Sequence, residues 1–253
     1  MQADHNKATI VSLVVVATAI CSLLHEGLGH GVTAWLRNDI VTQLTSNHLS
    51  SIRHDRLVDA GGTLVNLFAG LICLFAAGAV GRRANLRFFL WFMAAMNLLL
   101  GAGYFLFSGV LGLGDWGQFI EGMPHQAVLR IVMAIVGTVL YVVFVRMLAI
   151  SLHPFAPDRR AYNVPGRLPY YTACIFMCAA GAPDPEGIKM LFLSTVPALV
   201  GGLSGLMWAD WLLPRTAPAY RLYVRRSPAT WVLAIVVGAA FIATVGRGIN
   251  FTQ

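Results

Sequence analysis

The chain has 253 residues, of which 57% are hydrophobic and only 11% are charged, and its mean hydropathy is +0.69. A soluble domain needs more polar residues than this to cover its outside, so the composition excludes soluble globular, disordered and fibrous proteins. The formal charge of +7 comes from Arg residues beside apolar runs, so we expect contact with a lipid bilayer and no nucleic-acid partner.

Seven apolar runs follow one another along the chain, and a run of about 20 apolar residues is long enough to cross a bilayer. Lipid offers no partner to free backbone amides, so we expect these runs to be helices. The sequence therefore predicts an all-α fold, a polytopic membrane helix bundle of six to seven transmembrane helices. The fifth run is short and either crosses or is re-entrant. The runs are 8–36, 61–80, 88–113, 127–152, 169–182, 188–213 and 229–245.

Arg residues cluster in alternate loops, which predicts the orientation because cytoplasmic loops carry the excess of Lys and Arg. Seven crossings put all the Arg-rich loops inside, with the N-terminus inside and the C-terminus outside. We expect a single integral membrane domain over 1–253, in the cell membrane of a prokaryote. The Arg residues are Arg82, Arg83 and Arg87, then Arg159, Arg160 and Arg167, then Arg215, Arg221, Arg225 and Arg226.

The first run contains His25, Glu26 and His30 within six residues, in the segment His-Glu-Gly-Leu-Gly-His. Ionisable groups at membrane depth are usually functional, and neutral imidazole is the commonest zinc ligand. A zinc-binding His-Glu-x-x-His helix places both His on one face, with the Glu as general base. Here the two His are one position further apart.

The extra residue matters because positions i and i+5 of an ideal α-helix are about 140° apart around the axis. A π-bulge would realign His25 and His30, and Gly27 and Gly29 would ease such a distortion. We expect His25 and His30 to be metal ligands and Glu26 to be the base. The alternative makes Glu26 a ligand with His30, four positions on, and leaves His25 as the base.

A catalytic zinc site needs a third protein ligand, and the best candidate is Asp115, in Gly-Leu-Gly-Asp-Trp-Gly at the end of the third run. Counting crossings places it on the same side of the membrane as the His motif. We interpret Asn66 and Asn97 as interhelical hydrogen-bonding residues. We interpret Asp210 and Trp211 as a pair at the membrane interface. We expect four other histidines to be solvated, because they lie in loops: His48, His54, His125 and His153.

Together these residues resemble the three-helix core of the site-2 protease family of intramembrane zinc metalloproteases. Gly62-Thr63-Leu64-Val65-Asn66 is similar to that family's Gly-x-x-x-Asn segment, with Thr63 where the family often has Pro. The resemblance covers about residues 20–118, and it implies that His25, His30 and Asp115 hold one zinc ion and that Glu26 is catalytic. The motif spacing resembles the His-Glu-x-x-Gly-His of the dipeptidyl-peptidase III enzymes.

The expected function is therefore zinc-dependent intramembrane proteolysis, by a metallopeptidase that cleaves membrane protein or peptide substrates. Residues 8–118 would form the metalloprotease core of three spans, 127–253 would be accessory transmembrane helices, and 37–59 would be a hairpin that gates the site or pairs with substrate. Three alternatives remain: a zinc-dependent membrane hydrolase of lipid or another amide, a metal or proton transporter using the same cluster, and a metal-stabilised scaffold.

Overall fold

The computed structural model describes residues 4–251, and these form a bundle of helices with one small sheet. The strands pair antiparallel in the order β2-β1-β3. The helices are α1 (Lys7–Leu36), α2 (Arg56–Ala79), α3 (Ala84–Leu111), α4 (Asp115–Phe119), α5 (Gln126–Leu152), α6 (Arg167–Gly181), α7 (Ile188–Leu212) and α8 (Pro228–Ala243), and the strands are β1 (Val41–Leu44), β2 (Leu49–Ser51) and β3 (Ile249–Asn250).

Six of these helices are long and apolar enough to cross a membrane, namely α1, α2, α3, α5, α7 and α8 with its continuation to Arg247. This confirms the predicted all-α polytopic bundle. The outer faces agree with it: α5 exposes a row of β-branched residues that includes Ile131, Ile135 and Val139. Lipid solvates such a surface, whereas water would not.

The fifth apolar run forms α6, which has 15 residues and a length of about 22 Å, less than the roughly 30 Å of a bilayer core. Its ends nevertheless contact opposite ends of the bundle. Arg167, at its start, pairs with Asp210 at the end of α7, 3.0 Å away. Near its other end, the backbone oxygen of Ala180 accepts a hydrogen bond from Ser46, beside β1. We conclude that α6 runs along most of the bundle axis instead of turning back.

The loops that connect the helices lie at two opposite ends of the bundle. One, the Arg end, holds loops 80–83, 153–166 and 213–227, in which most of the Arg residues named above lie. The other, the hairpin end, holds residues 37–55, 112–125 and 182–187 and the sheet. Asn6 bonds to Val224 at the Arg end, and Ile249 pairs with Leu44 at the hairpin end, so the first and last described residues lie at opposite ends.

Helix α3 forms the centre of the core, and Phe88, Trp91, Phe92 and Leu99 on it are almost completely buried. It approaches its neighbours closely at small residues. A Cβ on Gly109 would lie 2.6 Å from the backbone nitrogen of Ala134 in α5. Since lipid tails are as apolar as Leu, such close backbone packing is the main attraction between membrane helices. Phe155 and Tyr162, from the loop after α5, complete the core at the Arg end.

Polar side chains fix where the first two helices begin. Asn6 accepts a hydrogen bond from the backbone N–H of Thr9, and Asp55 accepts one from Leu57, so each caps free amides of a first turn. Because Asp55 caps α2, this helix begins at Arg56, five residues before the apolar run from which it was predicted. That extra turn carries Val58 and Asp59 to the hairpin end of the bundle.

We expect acidification to destabilise the contact at the start of α1. The Nδ1 atom of His5 accepts a hydrogen bond from the N–H of Val224, and its Nε2 donates to the oxygen of Phe155. Burial lowers the pKa of His5 more than the Phe155 bond and Asp4 raise it. The unfolded chain therefore takes up this proton first, so the stabilisation is complete above pH about 6.5 and is lost below it.

The measurement is the thermal unfolding temperature in detergent at pH 7.5 and 5.5. We expect the drop between the two pH values to be smaller in His5→Gln than in the unchanged protein. An equal drop in both would show that His5 does not contribute to the pH dependence.

Candidate metal centre

The segment that contains the His-Glu-His motif is π-helical from Leu23 to Val32, between α-helical parts of α1. A π-helix bonds residue i to i+5, so residues five apart lie on one face. The rings of His25 and His30 are 4.8 Å apart between centroids, and their Nε2 atoms are 3.3 Å apart. The distortion expected from the sequence is present, and it extends over two turns instead of one.

Asp115 reaches this pair from the other side. It is the first residue of α4, after a turn in which Gly112 and Gly114 have positive φ, a conformation that other residues rarely adopt. Its Oδ2 atom is 3.4 Å from the Nε2 of His25 and 3.6 Å from the Nε2 of His30. Three potential ligand atoms thus form a nearly equilateral triangle.

The two imidazoles act on the Asp115 side chain. Burial raises the pKa of the Asp115 carboxyl, but the His30 and His25 rings beside it outweigh burial and hold this pKa well below its usual range. Asp115 is therefore a carboxylate, the form that ligates a metal ion.

Glycines bring α2 against the π-helical segment. A Cβ on Gly62 would lie 2.5 Å from the Nε2 of His30 and 2.6 Å from the Cε1 of His25. A Cβ on Gly29 would lie 2.5 Å from the Cα of Gly62. Gly62 therefore lets the α2 backbone form the floor below both imidazoles.

A second layer of polar contacts orients the two rings. The Nδ1 of His30 donates to the backbone oxygen of Val58 at 2.7 Å, which leaves its Nε2 free to bind a metal. The Nδ1 of His25 lies 3.1 Å from the Nδ2 of Asn66, whose Oδ1 atom has no hydrogen-bond partner among the described residues. Turning this amide over lets Oδ1 accept from Nδ1–H of His25. The Tyr104 ring stacks on His25 at 4.9 Å.

Glu26 is next to the triangle and is 5% exposed. One of its oxygens lies within 4.8 Å of ligand nitrogens of both His25 and His30, so these three residues could hold a metal ion. Its Oε2 atom is buried and has no hydrogen-bond partner in the described part of the chain. An unpartnered carboxylate oxygen at this depth is unfavourable unless a proton, water or ligand contacts it.

A cavity of about 1,110 Å³ opens beside Glu26, His30 and Asp115. Its walls come from both halves of the chain, which shows that the residues after 127 help to build the site. The hairpin contributes Leu49, Ser50 and Ile52, α3 contributes Tyr104 and Phe107, and α7 contributes Ser194, Pro197 and Gly201.

Other polar residues singled out in the sequence have structural contacts. Asn97 donates to the Sγ of Cys21 and to the oxygen of Met93, which confirms an interhelical hydrogen bond. Asn66 also joins two helices, but it does so at the metal centre. Asp210 is buried against Arg167 and is not an interfacial partner of Trp211, whose ring lies under the Arg159 guanidinium.

The expectation of solvated loop histidines is wrong for His48 and His153. His153 is buried, and the side chain of His48 is only 16% exposed and lines the cavity beside Glu26. His125 is exposed as expected. No signal in the sequence marks His48, because it lies in a polar turn between two short strands. Its depth results from the way the hairpin packs against α1, α6 and α7.

Comparison of the chain with protein families, with curated proteins and with solved structures finds no match.

Proposed function

We propose that the protein is a zinc-dependent intramembrane metalloprotease in which His25, His30 and Asp115 hold one zinc ion. The observation that supports this most directly is the triangle of Nε2, Nε2 and Oδ2 atoms, with sides of 3.3, 3.4 and 3.6 Å. Tetrahedral zinc with ligand distances of about 2.0–2.2 Å separates its ligand atoms by about 3.3–3.6 Å. These residues therefore fit zinc.

The same distances favour Asp115 as the third ligand and leave Glu26 for proton transfer. Zinc in a site of this kind acts as a Lewis acid toward a carbonyl and makes water more acidic. Glu26 accepts a proton from the attacking water and returns it to the leaving nitrogen of the peptide. Burial suits a carboxylate that exchanges a proton in this way, and so does an Oε2 atom without a hydrogen-bond partner among residues 4–251.

Peptide cleavage is favoured over lipid hydrolysis and transport by the strand beside the cavity. In the sheet order β2-β1-β3, β2 is an edge strand, and its residues Leu49 and Ser50 line the cavity. An extended peptide can pair with such an edge through main-chain hydrogen bonds. A membrane-spanning substrate would unwind locally and present its backbone to β2 and Glu26.

The metal site is tested by measuring the zinc content of two purified proteins, the unchanged protein and the His30→Ala variant. We expect about one zinc per chain in the unchanged protein and less than about a tenth of that in His30→Ala, because a two-ligand site binds zinc weakly. His125→Asn is the matched control, since His125 is an exposed His at the same end of the bundle. Equal zinc in all three proteins would rule out His30 as a ligand.

Activity is tested on a fluorogenic hydrophobic peptide of about 20 residues, the length of a membrane span, with protein and peptide in one detergent micelle. Cleavage that a zinc chelator abolishes and added zinc restores is the expected result. Zinc uptake into proteoliposomes without cleavage would instead support the transport alternative.

A further inference from the structure

A second cavity, of about 570 Å³, lies at the Arg end of the bundle, opposite the metal centre. Asp4 is the one acidic residue in its wall within the described range, and this residue is exposed. Four guanidiniums against one carboxylate give the space an excess of positive charge, and we call it the basic cavity. The arginines in its wall are Arg82, Arg221, Arg225 and Arg226.

The segment 221–226 carries three of these arginines and is fixed against the bundle, although it is neither helix nor strand. The side chains of Leu222 and Val224 are buried, whereas the arginines on either side of them are exposed. The N–H of Arg225 donates to the Oδ1 of Asn85 at 2.8 Å, and the Nδ2 of Asn85 donates to the backbone oxygen of Arg225 at 3.0 Å. A backbone held in this way lowers the entropy cost of ordering the arginines around a ligand.

The positive charge at this cavity is not balanced by acidic partners. Among residues 4–251, the arginines that pair with a carboxylate are Arg37 and Arg167, and neither lines the cavity. Arg82 and Arg87 instead share one ring, with their guanidinium carbons 5.0 and 5.7 Å from the centre of Tyr220. Arg87 is only 8% exposed, and its Nε atom has no hydrogen-bond partner in the described part of the chain. A buried charge without a counter-charge is unfavourable, so the arrangement favours an anion beside it.

Two membrane helices begin at this cavity and add to its positive potential. Helix α3 begins at Ala84, which lines the cavity, and α8 begins at Pro228, two residues after Arg226. Neither cap residue makes a side-chain hydrogen bond to the first turn of its helix. The N–H groups of such a turn carry partial positive charge and bind anions. Phosphate fits this set of donors, because a guanidinium can give it two parallel hydrogen bonds.

The surface beside the cavity is apolar and faces lipid. On α8, Val232, Ile235 and Val236 are 63%, 71% and 60% exposed. Trp231 lies at the start of this surface, and the guanidinium carbon of Arg226 is 5.2 Å from the centre of its ring. Trp is enriched where a membrane helix meets water, so the cavity lies at the level of the lipid headgroups.

We propose that the basic cavity binds the phosphate of an anionic phospholipid, whose acyl chains lie along the exposed face of α8. This proposal is independent of the proposed function. An anionic headgroup is favoured over a zwitterionic one because the amine of a zwitterionic headgroup would bring a cation among the arginines. A lipid is favoured over free phosphate because the exposed face of α8 continues directly from the cavity and gives the acyl chains an apolar contact.

Binding is measured by native mass spectrometry of the full chain in a neutral detergent, with phosphatidylglycerol added to the micelles. We expect one tightly retained phosphatidylglycerol per chain, and phosphatidylcholine bound at least about fivefold more weakly. An arginine near an anionic lipid contributes about fivefold in affinity, so we expect Arg221→Gln/Arg225→Gln to weaken phosphatidylglycerol binding by about 25-fold.

The matched control is Arg160→Gln/Arg215→Gln, which removes the same charge from two exposed arginines at the same end that do not line the cavity. Charges outside the cavity are screened by salt, so we expect its affinity to stay within about twofold of that of the unchanged protein. Glycerol 3-phosphate, which has the phosphate without the acyl chains, is the third ligand. We expect it not to displace phosphatidylglycerol at millimolar concentration, because it lacks the apolar contact along α8.

Four outcomes would overturn the proposal. Equal affinity for phosphatidylglycerol in all three proteins would show that the cavity is not the site, and an equal loss in both double variants would show an effect of surface charge alone. Equal binding of phosphatidylcholine would remove the selectivity for an anion. Displacement by glycerol 3-phosphate would identify a site for a free phosphate compound. The comparison of the three ligands on the unchanged protein needs no variant, so it decides even if a double variant unfolds.

Discussion

Replacement of Glu26 by Gln is expected to abolish peptide cleavage and to leave zinc bound. Gln has the shape of Glu but cannot accept and return a proton, and general acid–base catalysis contributes about 10²–10⁴-fold to a rate. Because both proton transfers depend on this one carboxylate, we expect kcat to fall by a factor near the upper end of this range. The measurements are kcat on the fluorogenic peptide and zinc per chain in the same preparation.

Glu121→Gln is the matched control, since Glu121 is an exposed carboxylate at the hairpin end that does not line the cavity. Three results would be informative. Full activity in Glu26→Gln would remove Glu26 from the mechanism. Loss of zinc from an otherwise folded Glu26→Gln protein would support the alternative in which Glu26 is a ligand and His25 is the base. Loss of activity with zinc retained is the result that agrees with the proposal.

Replacement of Gly62 by Ala is expected to remove zinc binding and cleavage together. The added Cβ would lie 2.5 Å from the Nε2 of His30 and 2.6 Å from the Cε1 of His25. Both rings are buried between α1, α2 and Tyr104, so they cannot turn aside without losing the bonds to Val58 and Asn66. A ligand moved by an ångström no longer fits a tetrahedral site.

The control is Gly78→Ala, which makes the same change in the same helix where a Cβ meets nothing within 4 Å. We expect it to bind zinc normally and to be slightly more stable, by about 0.5–1 kcal/mol, since Ala loses less backbone entropy than Gly in a helix. Zinc content and the midpoint of thermal unfolding are measured for both variants. Normal zinc content in Gly62→Ala would mean that the rings are not held against α2.

The helices were predictable because their signal is local. A run of apolar residues long enough to span a bilayer must form a helix whatever surrounds it, so α1, α2, α3, α5, α7 and α8 follow from composition and length. The π-helical segment was also predictable, because two His five positions apart can meet on one face only if the helix is distorted there. Gly29 eases this distortion, as the sequence predicts. It also allows the close contact with Gly62, which the sequence does not show.

The length of α6 did not allow its path through the bundle to be predicted. Fifteen residues are too few to decide between a crossing and a re-entrant helix, and only the contacts of Arg167 with Asp210 and of Ala180 with Ser46 show that it runs between the two ends. The residues after 127 carried no interpretable motif either. Their part in the site depends on long-range packing, through Asn47 with Asp184 and Thr195, which no periodicity predicts.

The sequence by itself determined that this is a multi-pass membrane protein and that the buried His-Glu-His segment of its first helix is a candidate metal site, because hydropathy and ligand spacing act within one segment. The tertiary structure decided which atoms meet. It brought Asp115 to within 3.6 Å of both imidazoles, placed the Gly62 backbone beneath them, and carried His48 from a polar turn to the wall of the cavity. These contacts join residues far apart in the chain, and they depend on how the helices pack, which the local pattern of residues does not specify.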